Sequence, residues 1–281
     1  MAAPCAAFRF RGTTAAVVPA GADGVRLDLA VDAAFPKVAP SQFFMLRRSD
    51  GGGVLLGRPF SVYLDRTGAN GRTLSFLLKV MGPGTRGLSE LKVGMSVDLV
   101  GPLGQGFPAV APGERLSCVA GGVGIATFPL VFEAALAAGA RAQDLTLCFG
   151  AARKEFLYEV DRYRDYGIRV RIATDDGSAG QRGTALDLLR EDCKNALLRP
   201  HKVFACGPER MLEAVVRFAA EERLDAYLSL ETRMGCGTGV CNACAVPVKP
   251  ASNGGWPVAK ACREGPVFRA CDLTLEEAHQ L

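Results

Sequence analysis

Four cysteines near the C-terminal end constrain the fold of this chain more than any other sequence feature. Three of them follow the spacing C-x4-C-x2-C, and the fourth comes after 17 further residues; they are Cys236, Cys241, Cys244 and Cys262. From about Ala226 onward the chain is also rich in glycine and has little hydrophobic periodicity. Because such a segment has few apolar side chains for a core, the cysteines predict a small loop-rich domain held together by a metal centre.

Two kinds of centre are compatible with these thiols. The spacing matches the plant-type ligand pattern of a [2Fe-2S] cluster. The alternative is a structural zinc site, or a redox C-x2-C motif at Cys241 and Cys244, but structural zinc usually draws on two closely spaced pairs and only one exists here. Gly235, Gly237 and Gly239 let the backbone wrap closely around a cluster, because glycine adopts positive φ at little cost. We therefore predict that the four cysteines bind a [2Fe-2S] cluster.

The rest of the sequence has two parts with different periodicities. Between Phe8 and about Pro108, short apolar runs are separated by Gly, Pro, Asp and Asn, which predicts antiparallel strands in a small barrel or sandwich. Beyond a Pro/Gly-rich stretch at 101–113, apolar runs alternate with helical segments, which predicts an α/β domain with a doubly wound parallel sheet. We expect a multidomain chain with a barrel domain at 1–110, an α/β domain at 111–225 and the loop-rich [2Fe-2S] domain at 226–281.

The predicted elements follow from these runs. Strands are expected at 25–31, 42–47, 60–64, 73–80 and 96–100 in the first part, and at 116–120, 145–150, 170–174 and 202–206 in the second, with helices at 127–138, 184–198 and 211–222.

Composition narrows the classes of function. Of 281 residues, 49% are hydrophobic and 22% charged, and the 33 Lys+Arg and 29 Asp+Glu are scattered along the chain. The sequence has no basic stripe of the kind that indicates binding to nucleic acid. No stretch of 18 residues is both apolar and free of charged residues, and the N-terminal sequence has no signal-peptide pattern. We therefore expect a cytoplasmic protein that does not bind membranes.

Two motifs in the first part are candidates for binding a phosphate-containing cofactor. The run Gly57-Arg58-Pro59-Phe60-Ser61-Val62-Tyr63 opens a strand, although an Arg-Pro pair there is often only a turn. The run Lys79-Val80-Met81-Gly82-Pro83-Gly84-Thr85 is a glycine-rich turn before a helical segment. Backbone N–H groups at such a turn suit a pyrophosphate, and Arg58 adds a charge-assisted contact.

The second part contains a comparable pair of motifs. The strand at 116–120 runs into Gly121-Gly122-Val123-Gly124 and a helix, which is the right context for a dinucleotide pyrophosphate, although the strict G-x-G-x-x-G fingerprint is absent. The strand at 202–206 ends in Cys206-Gly207-Pro208, with proline at a helix start. From the residues alone, Cys206 is also compatible with a simple buried position at a strand end.

Together these motifs resemble the ferredoxin-NADP reductase superfamily. The resemblance implies FAD on the barrel, with Arg58 on its pyrophosphate, Ser61 near the flavin N5 and either Phe60 or Tyr63 against the rings. It also implies a nicotinamide that faces Cys206, so that Ser61 and Cys206 are the expected catalytic residues. The other residues expected to bind the cofactors are Pro59, Lys79, Gly82, Gly84, Thr85, Gly121, Gly122, Gly124, Gly207 and Pro208.

The order of the three parts, and the sequence Cys262-Arg263-Glu264-Gly265-Pro266-Val267-Phe268, resemble the electron-transfer subunits of NAD-dependent dihydroorotate dehydrogenases. In that family the implied partner is an FMN-containing catalytic subunit, in a heterotetramer that serves pyrimidine biosynthesis. Electrons would pass from FMN through the [2Fe-2S] cluster and FAD to NAD. Ser41 stands where a glycine is common in the superfamily.

Two other functions stay open from the sequence. One is a diaphorase-like subunit of another NAD(P)H-linked complex, such as a hydrogenase, a sulfur reductase or a ferredoxin reductase. The other is a non-catalytic binding protein with a zinc-stabilised tail. The choice between NAD and NADP is open as well, because Arg153 and Lys154 are basic residues that suit a 2′-phosphate.

Overall fold

A computed structural model describes residues 8–33, 35–52, 54–69, 71–250 and 257–274. The ends of the first and third predicted domains therefore lie outside the described residues. The described chain forms two seven-stranded sheets and a two-stranded ribbon.

The first part of the chain is the predicted antiparallel barrel. Its strands are β1 (Phe8–Ala20), β2 (Gly24–Val31), β3 (Phe43–Arg48), β4 (Arg58–Ser61), β5 (Leu64–Gly68), β6 (Gly71–Lys79) and β7 (Ser96–Leu103), with helix α1 (Pro83–Ser89) between the last two. The strands pair antiparallel in the order β4-β3-β7-β1-β2-β6-β5. Alternate residues of β6 (Leu74, Phe76 and Leu78) are buried in the barrel core, as expected of a strand with one face inside.

The structure divides one predicted strand. The run at 60–64 forms the end of β4 and the start of β5, which pair with different neighbours, β3 and β6. Between them the chain crosses from one end of the sheet to the other. The Val62 N–H donates to the Gln42 carbonyl and the Tyr63 N–H donates to the Ser75 carbonyl, so the crossing itself closes the barrel.

The second part is the predicted doubly wound α/β domain. Its strands are β8 (Leu116–Gly121), β9 (Leu145–Ala151), β10 (Arg169–Thr174), β11 (Gln181–Arg182), β12 (Lys202–Cys206) and β13 (Asp225–Ser229). Its helices are α2 (Pro129–Ala137), α3 (Val160–Asp165), α4 (Ala185–Lys194) and α5 (Glu209–Glu222). All six residues of β8 are buried, because helices cover both faces of a parallel sheet. The helix expected at 127–138 begins at Pro129, since residues Gly122–Thr127 form a 3₁₀ helix.

The third part has little regular structure, and it contacts both the barrel and the α/β domain. It contains β14 (Ala245–Pro247), β15 (Val258–Lys260) and β16 (Val267–Arg269). Strand β16 pairs antiparallel with β13 and extends the α/β sheet, while the Gln105 N–H donates to the Gly265 carbonyl at 2.5 Å. The boundary expected at 225/226 falls at the first residue of β13. Within the described ranges, no helix is both long and apolar enough to cross a membrane.

Candidate functional site

A cleft lies where the three parts of the chain meet. Its walls include Ser61 from β4, Cys206 from the end of β12 and Met234 from the loop that leads to the first cluster cysteine. The predicted cofactor residues that line it are Pro59, Phe60, Ser61, Lys79, Thr85, Gly124 and Cys206. Residues that are far apart in sequence, and that were selected from separate motifs, therefore share one cavity.

One end of the site is formed by Arg58 and the turn before α1. A Cβ atom on Gly84 would lie 3.1 Å from Arg58 Nε, so the Arg58 side chain packs directly against the glycine backbone. The Thr85 hydroxyl oxygen accepts the N–H groups of Met81, at 2.9 Å, and Gly82, at 3.1 Å, and thereby fixes the turn. A positive side chain held against a glycine turn fits a cofactor pyrophosphate.

Tyr63 lies outside this cleft. Its side chain is fully buried, and its hydroxyl donates to Glu159 Oε2 at 2.9 Å while the Arg162 guanidinium lies 5.6 Å from the ring centroid. Glu159 also accepts a hydrogen bond from Arg26 of β2 at 2.8 Å. Tyr63 therefore connects the barrel to the α/β domain, and of the two aromatic side chains expected against the flavin only Phe60 lines the cleft.

Glycines bring the ends of β8 and β12 into close contact. A Cβ on Gly124 would lie 2.3 Å from the carbonyl oxygen of Cys206, and a Cβ on Gly207 would lie 2.9 Å from the backbone nitrogen of Gly121. Gly122 has a φ of +51° and open space beside it. Any larger residue at 124 would separate the two strand ends that shape the cleft.

A second pocket continues from this glycine turn. Its walls include Gly121, Gly122, Pro208 and Arg210, together with Asp175, which directly follows β10. The bare glycine backbone and the arginine suit a pyrophosphate. The pocket therefore has the groups that a dinucleotide site needs, and it shares a lining residue, Lys79, with the cleft that contains Cys206.

The basic residues expected near a 2′-phosphate do not line this pocket. Arg153 lies 3.8 Å from Glu155, and neither Arg153 nor Lys154 contributes to the walls. Arg190 does line the pocket, but it is paired with Asp187 at 3.1 Å.

Sequence reasoning missed an acidic residue at the centre of the site. Glu231 lines the cleft beside Cys206, and burial raises the pKa of its carboxyl group above the ordinary value, with Lys79 acting in the opposite direction. Burial, and then the Glu231 charge, raise the pKa of the Cys206 thiol, so this thiol is protonated at neutral pH. The run 226–230 alternates with helix α5 as the other strands do, and this is the signal that would have predicted β13 and the position of Glu231 at its end.

Ser41 is held at this site in a left-handed backbone conformation. Its φ is +72°, its side chain is fully buried, and its hydroxyl lies 3.0 Å from that of Ser229, which also lines the cleft. The positive φ explains why a glycine suits this position in the superfamily that the sequence resembles. Here a hydrogen bond between the two hydroxyls fixes the loop instead.

The cluster cysteines are arranged as two pairs. The Cys236 N–H donates to Cys241 Sγ and the Cys241 N–H donates to Cys236 Sγ, both at 3.4 Å, while Cys244 Sγ and Cys262 Sγ are 3.2 Å apart. Among the described residues, no three His, Cys, Asp or Glu side chains converge on a single metal position. Two thiol pairs fit the two irons of a [2Fe-2S] cluster better than one tetrahedral zinc.

The backbone around the first pair favours thiolates. Burial opposes ionisation of Cys236, but hydrogen bonds from the N–H groups of Cys241 and Thr238 outweigh it and lower the pKa of this thiol to about 6. Gly237 and Gly239 both have positive φ, of 72° and 85°. The backbone therefore curls so that its N–H groups point at sulfur, which is the environment that an iron–sulfur cluster requires.

A lysine side chain closes this loop. Lys260 Nζ donates to the Gly239 carbonyl at 2.9 Å, and the Arg263 side chain packs against Gly239 so closely that a Cβ there would lie 2.3 Å from Arg263 Cδ. Two cationic side chains are therefore held against the loop between the first two cluster cysteines.

Replacement of Lys260 by methionine is expected to lower the reduction potential of the cluster. Each added electron makes the cluster more negative, and the nearby ammonium group stabilises that charge by about 1 kcal/mol at an effective dielectric constant near 20 or above. The potential can be measured by a redox titration followed by electron paramagnetic resonance. Lys260→Arg keeps the charge and should keep the potential, whereas an unchanged or higher potential in Lys260→Met would contradict the expectation.

The fold and the paired cysteines define the class of this protein. It is an oxidoreductase with a ferredoxin-reductase-like fold, in which an iron–sulfur segment adjoins the redox cleft. Two families match the chain: the iron–sulfur cluster binding domain of dihydroorotate dehydrogenase B at 231–274, and the oxidoreductase NAD-binding domain at 118–217. The predicted [2Fe-2S] and NAD cofactors are thereby confirmed.

Full-length comparisons give the particular family. The chain is 35% identical to a dihydroorotate dehydrogenase B (NAD⁺) electron transfer subunit of Desulforamulus reducens, covering 84% of this chain and 87% of that protein. It is 33% identical to the corresponding subunit of Clostridium acetobutylicum, covering 86% and 88%. The chain belongs to the family of dihydroorotate dehydrogenase B electron transfer subunits, as the sequence motifs predicted.

Solved structures agree with this assignment. A structure of an NADH-dependent reduced ferredoxin-NADP oxidoreductase aligns with a TM-score of 0.80 and 28% identity over 96% of this chain and 91% of that one. A cytochrome P450 reductase of Amycolatopsis aligns with a TM-score of 0.66 and 23% identity over 78% and 68%, which is a likeness in fold alone.

Proposed function

We propose that this chain carries electrons from the FMN of a dihydroorotate dehydrogenase catalytic subunit, through a [2Fe-2S] cluster and FAD, to NAD⁺ in pyrimidine biosynthesis. The observation that carries the proposal is the shared cleft, because Ser61, Cys206 and Met234 bring the barrel, the nucleotide turn and the cluster loop to one cavity. Bound FAD would exchange hydride with the nicotinamide and single electrons with the cluster.

The residues of the chain have distinct tasks in this proposal. Arg58 and the turn at Gly84 and Thr85 would hold the FAD pyrophosphate, and Phe60 would pack against the ring system. Ser61 lines the cleft, where its hydroxyl would approach the flavin N5 region. Cys206 would present a neutral thiol to the nicotinamide, and such a thiol packs against a ring without reacting with it. Hydride transfer itself needs stacked rings in close approach and no protein base.

The nucleotide site has an equally defined assignment. Gly121, Gly122, Gly207 and Pro208 would contact the NAD pyrophosphate through their backbone, and Gly124 would let the nicotinamide half reach Cys206. Lys79 lines both the flavin cleft and the nucleotide pocket, where it lies 3.2 Å from Asp23. It would therefore contact the nucleotide where the two cofactors meet.

The partner follows from the same family. A separate catalytic subunit would contain the FMN, because the sheets that the described residues form do not include a (β/α)8 barrel, which takes about 250 residues. Two copies of each subunit would form a heterotetramer, with the cluster loop directed toward the catalytic subunit. The same loop borders the flavin cleft through Met234, so it is suited to bridge two flavins.

The first test is a visible absorption spectrum of anaerobically purified protein, with counts of iron, sulfide and flavin. We expect about two irons, two sulfides and one FAD per chain, with absorbance that NADH bleaches. Addition of the catalytic subunit should then allow dihydroorotate to reduce NAD⁺. Zinc without flavin would refute the proposal. If NADH reduces the flavin and the cluster, but dihydroorotate with its dehydrogenase does not, the chain would belong to another NADH-linked complex.

Replacement of Asp175 by serine is expected to weaken the preference for NADH over NADPH by about tenfold. A carboxylate in the wall of this pocket would accept hydrogen bonds from ribose hydroxyls and repel a 2′-phosphate, and the loss of a charged hydrogen bond is worth roughly 1.5 kcal/mol. The ratio of kcat/KM values for the two coenzymes measures the effect. Asp161→Ser is the control, because this aspartate is 89% exposed on α3 and away from the pocket. Equal ratios in both variants would rule out a role for Asp175.

A further inference from the structure

A row of charged residues crosses the outer face of the barrel next to the cluster loop. Strands β3, β7 and β1 are neighbours in the sheet, and their register places Arg47, Asp98 and Arg11 directly opposite one another. Arg9 precedes Arg11 by two residues on β1, so its side chain lies on the same face.

The arginines outnumber the carboxylate that they surround. Asp98 accepts hydrogen bonds from Arg9 at 3.1 Å and from Arg47 at 3.2 Å, and the Arg11 guanidinium lies 3.8 Å away. Asp98 is only 8% exposed, whereas the Arg9 and Arg11 side chains are 66% and 67% exposed. The surface therefore presents two guanidinium groups in excess of the one buried negative charge.

Neutralising Asp98 does not require this many cations. Elsewhere in the chain, the comparably buried Asp144 has one arginine partner, Arg141, at 2.7 Å, and the more deeply buried Asp192 has two. Exposed ion pairs add little to stability. A third arginine around one carboxylate is therefore better explained by the charge that it presents to solvent than by folding.

The arginine row adjoins the surface on which the cluster loop packs. Met45 pairs with Val100 one step along the same face, and a Cβ on Gly237 would lie 2.6 Å from Met45 Cγ. Side chains two residues apart on a strand are separated by about 7 Å, so Arg47 follows directly beyond this contact. At the tip of the loop, Val240 lies between the first two cluster cysteines and is 81% exposed. An apolar tip beside a cationic row is a combination common in protein interfaces.

We propose that Arg9, Arg11 and Arg47 form a docking surface for an acidic patch on the catalytic subunit, next to the apolar contact made by Val240. This inference rests on the proposed function for the identity of the partner. Guanidinium groups bind carboxylates in a planar, bidentate manner, and opposite charges accelerate and orient association. The docking surface therefore directs the cluster loop, rather than another face of the chain, toward the redox centre of the partner.

The test measures binding of the complete chain, loaded with FAD and cluster, to the dihydroorotate dehydrogenase catalytic subunit of the same organism. The variant Arg9→Glu with Arg11→Glu leaves Arg47 to pair with Asp98, so the buried carboxylate keeps a partner. We expect its Kd at low ionic strength to rise at least tenfold, through a slower association rate, and its dependence on salt to weaken. Reduction of ferricyanide by NADH, which needs no partner, should be unchanged.

Two further variants make the outcome specific. Arg9→Lys with Arg11→Lys keeps the charge and should bind within a fewfold of the original chain. Arg153→Glu with Arg164→Glu makes the same charge change on arginines that are 64% and 59% exposed in the α/β domain and whose carboxylate partners are exposed too, and should bind normally. Equal weakening in this control, or unchanged binding in Arg9→Glu with Arg11→Glu, would overturn the docking surface alone. Failure of the original chain to bind the catalytic subunit would overturn the proposed function and the surface with it.

Discussion

Replacement of Cys241 by alanine is expected to remove the iron–sulfur cluster and to abolish electron transfer to and from the catalytic subunit. Four thiolates hold the two irons, and the N–H groups that point at the Cys236 sulfur cannot substitute for a missing ligand. Because Cys241 is exposed, its loss removes little packing. Iron should fall from about two atoms per chain to near zero, and turnover with dihydroorotate should fall by at least about 100-fold.

Reduction of ferricyanide by NADH separates this effect from general misfolding. It needs only the flavin and the nucleotide site, so Cys241→Ala should keep most of this activity. Cys271→Ala is the matched control, because Cys271 is also an exposed cysteine of the third part but lies outside the C-x4-C-x2-C pattern. If Cys241→Ala retained its cluster, or if Cys271→Ala lost it, the ligand assignment would be wrong.

The α/β domain was predictable because its strands are continuous apolar runs. Strand β12 was predicted with both of its ends, since its four residues from Val203 to Cys206 are all buried and a Gly-Pro pair follows. The barrel was predictable only as a class. Whether residues 60–64 form one strand or two depends on pairing with β3 and β6, and partners that distant leave no local signal.

The same crossing places Tyr63 apart from Ser61, although the family resemblance offered both for the flavin site. In one uninterrupted strand, Ser61 and Tyr63 would point to the same side, because side chains alternate. The chain instead changes partners after Ser61, so that Ser61 faces the cleft and Tyr63 is buried against Glu159. The cysteine ligands escaped this problem, because their spacing reports the chemistry of the centre directly and does not depend on strand register.

Glu231 illustrates a different limit. Its position follows from β13, which was missed because the glycines and cysteines that follow led us to predict irregular structure from Ala226 onward. Glu231 lies five residues before Cys236 and 25 residues after Cys206. Without β13, nothing in the sequence indicates that Glu231 and Cys206 are close in space. Their proximity arises because β12 and β13 are parallel neighbours that end at the same edge of the sheet.

Replacement of Gly124 by alanine is expected to reduce the rate of flavin reduction by NADH by about 100-fold. The new Cβ would lie 2.3 Å from the Cys206 carbonyl oxygen and 2.8 Å from the Gly207 nitrogen, and both are backbone atoms that no side-chain rotation can move. The ends of β8 and β12 must therefore separate. A displacement of about 1 Å in a site that depends on ring stacking is enough for a rate loss of this size.

Stopped-flow absorbance at the flavin band, with measurement of FAD content and Tm, distinguishes a distorted site from an unfolded one. The variant should keep its FAD and cluster, because Arg58, the turn at Gly84 and the four cysteines are in other parts of the chain. Gly68→Ala is the matched control, since a Cβ there would meet no atom within 4 Å. NADH should reduce the flavin of Gly68→Ala at the original rate. Normal hydride transfer in Gly124→Ala would mean that the nicotinamide does not bind against the ends of β8 and β12, and the nucleotide assignment would then fail.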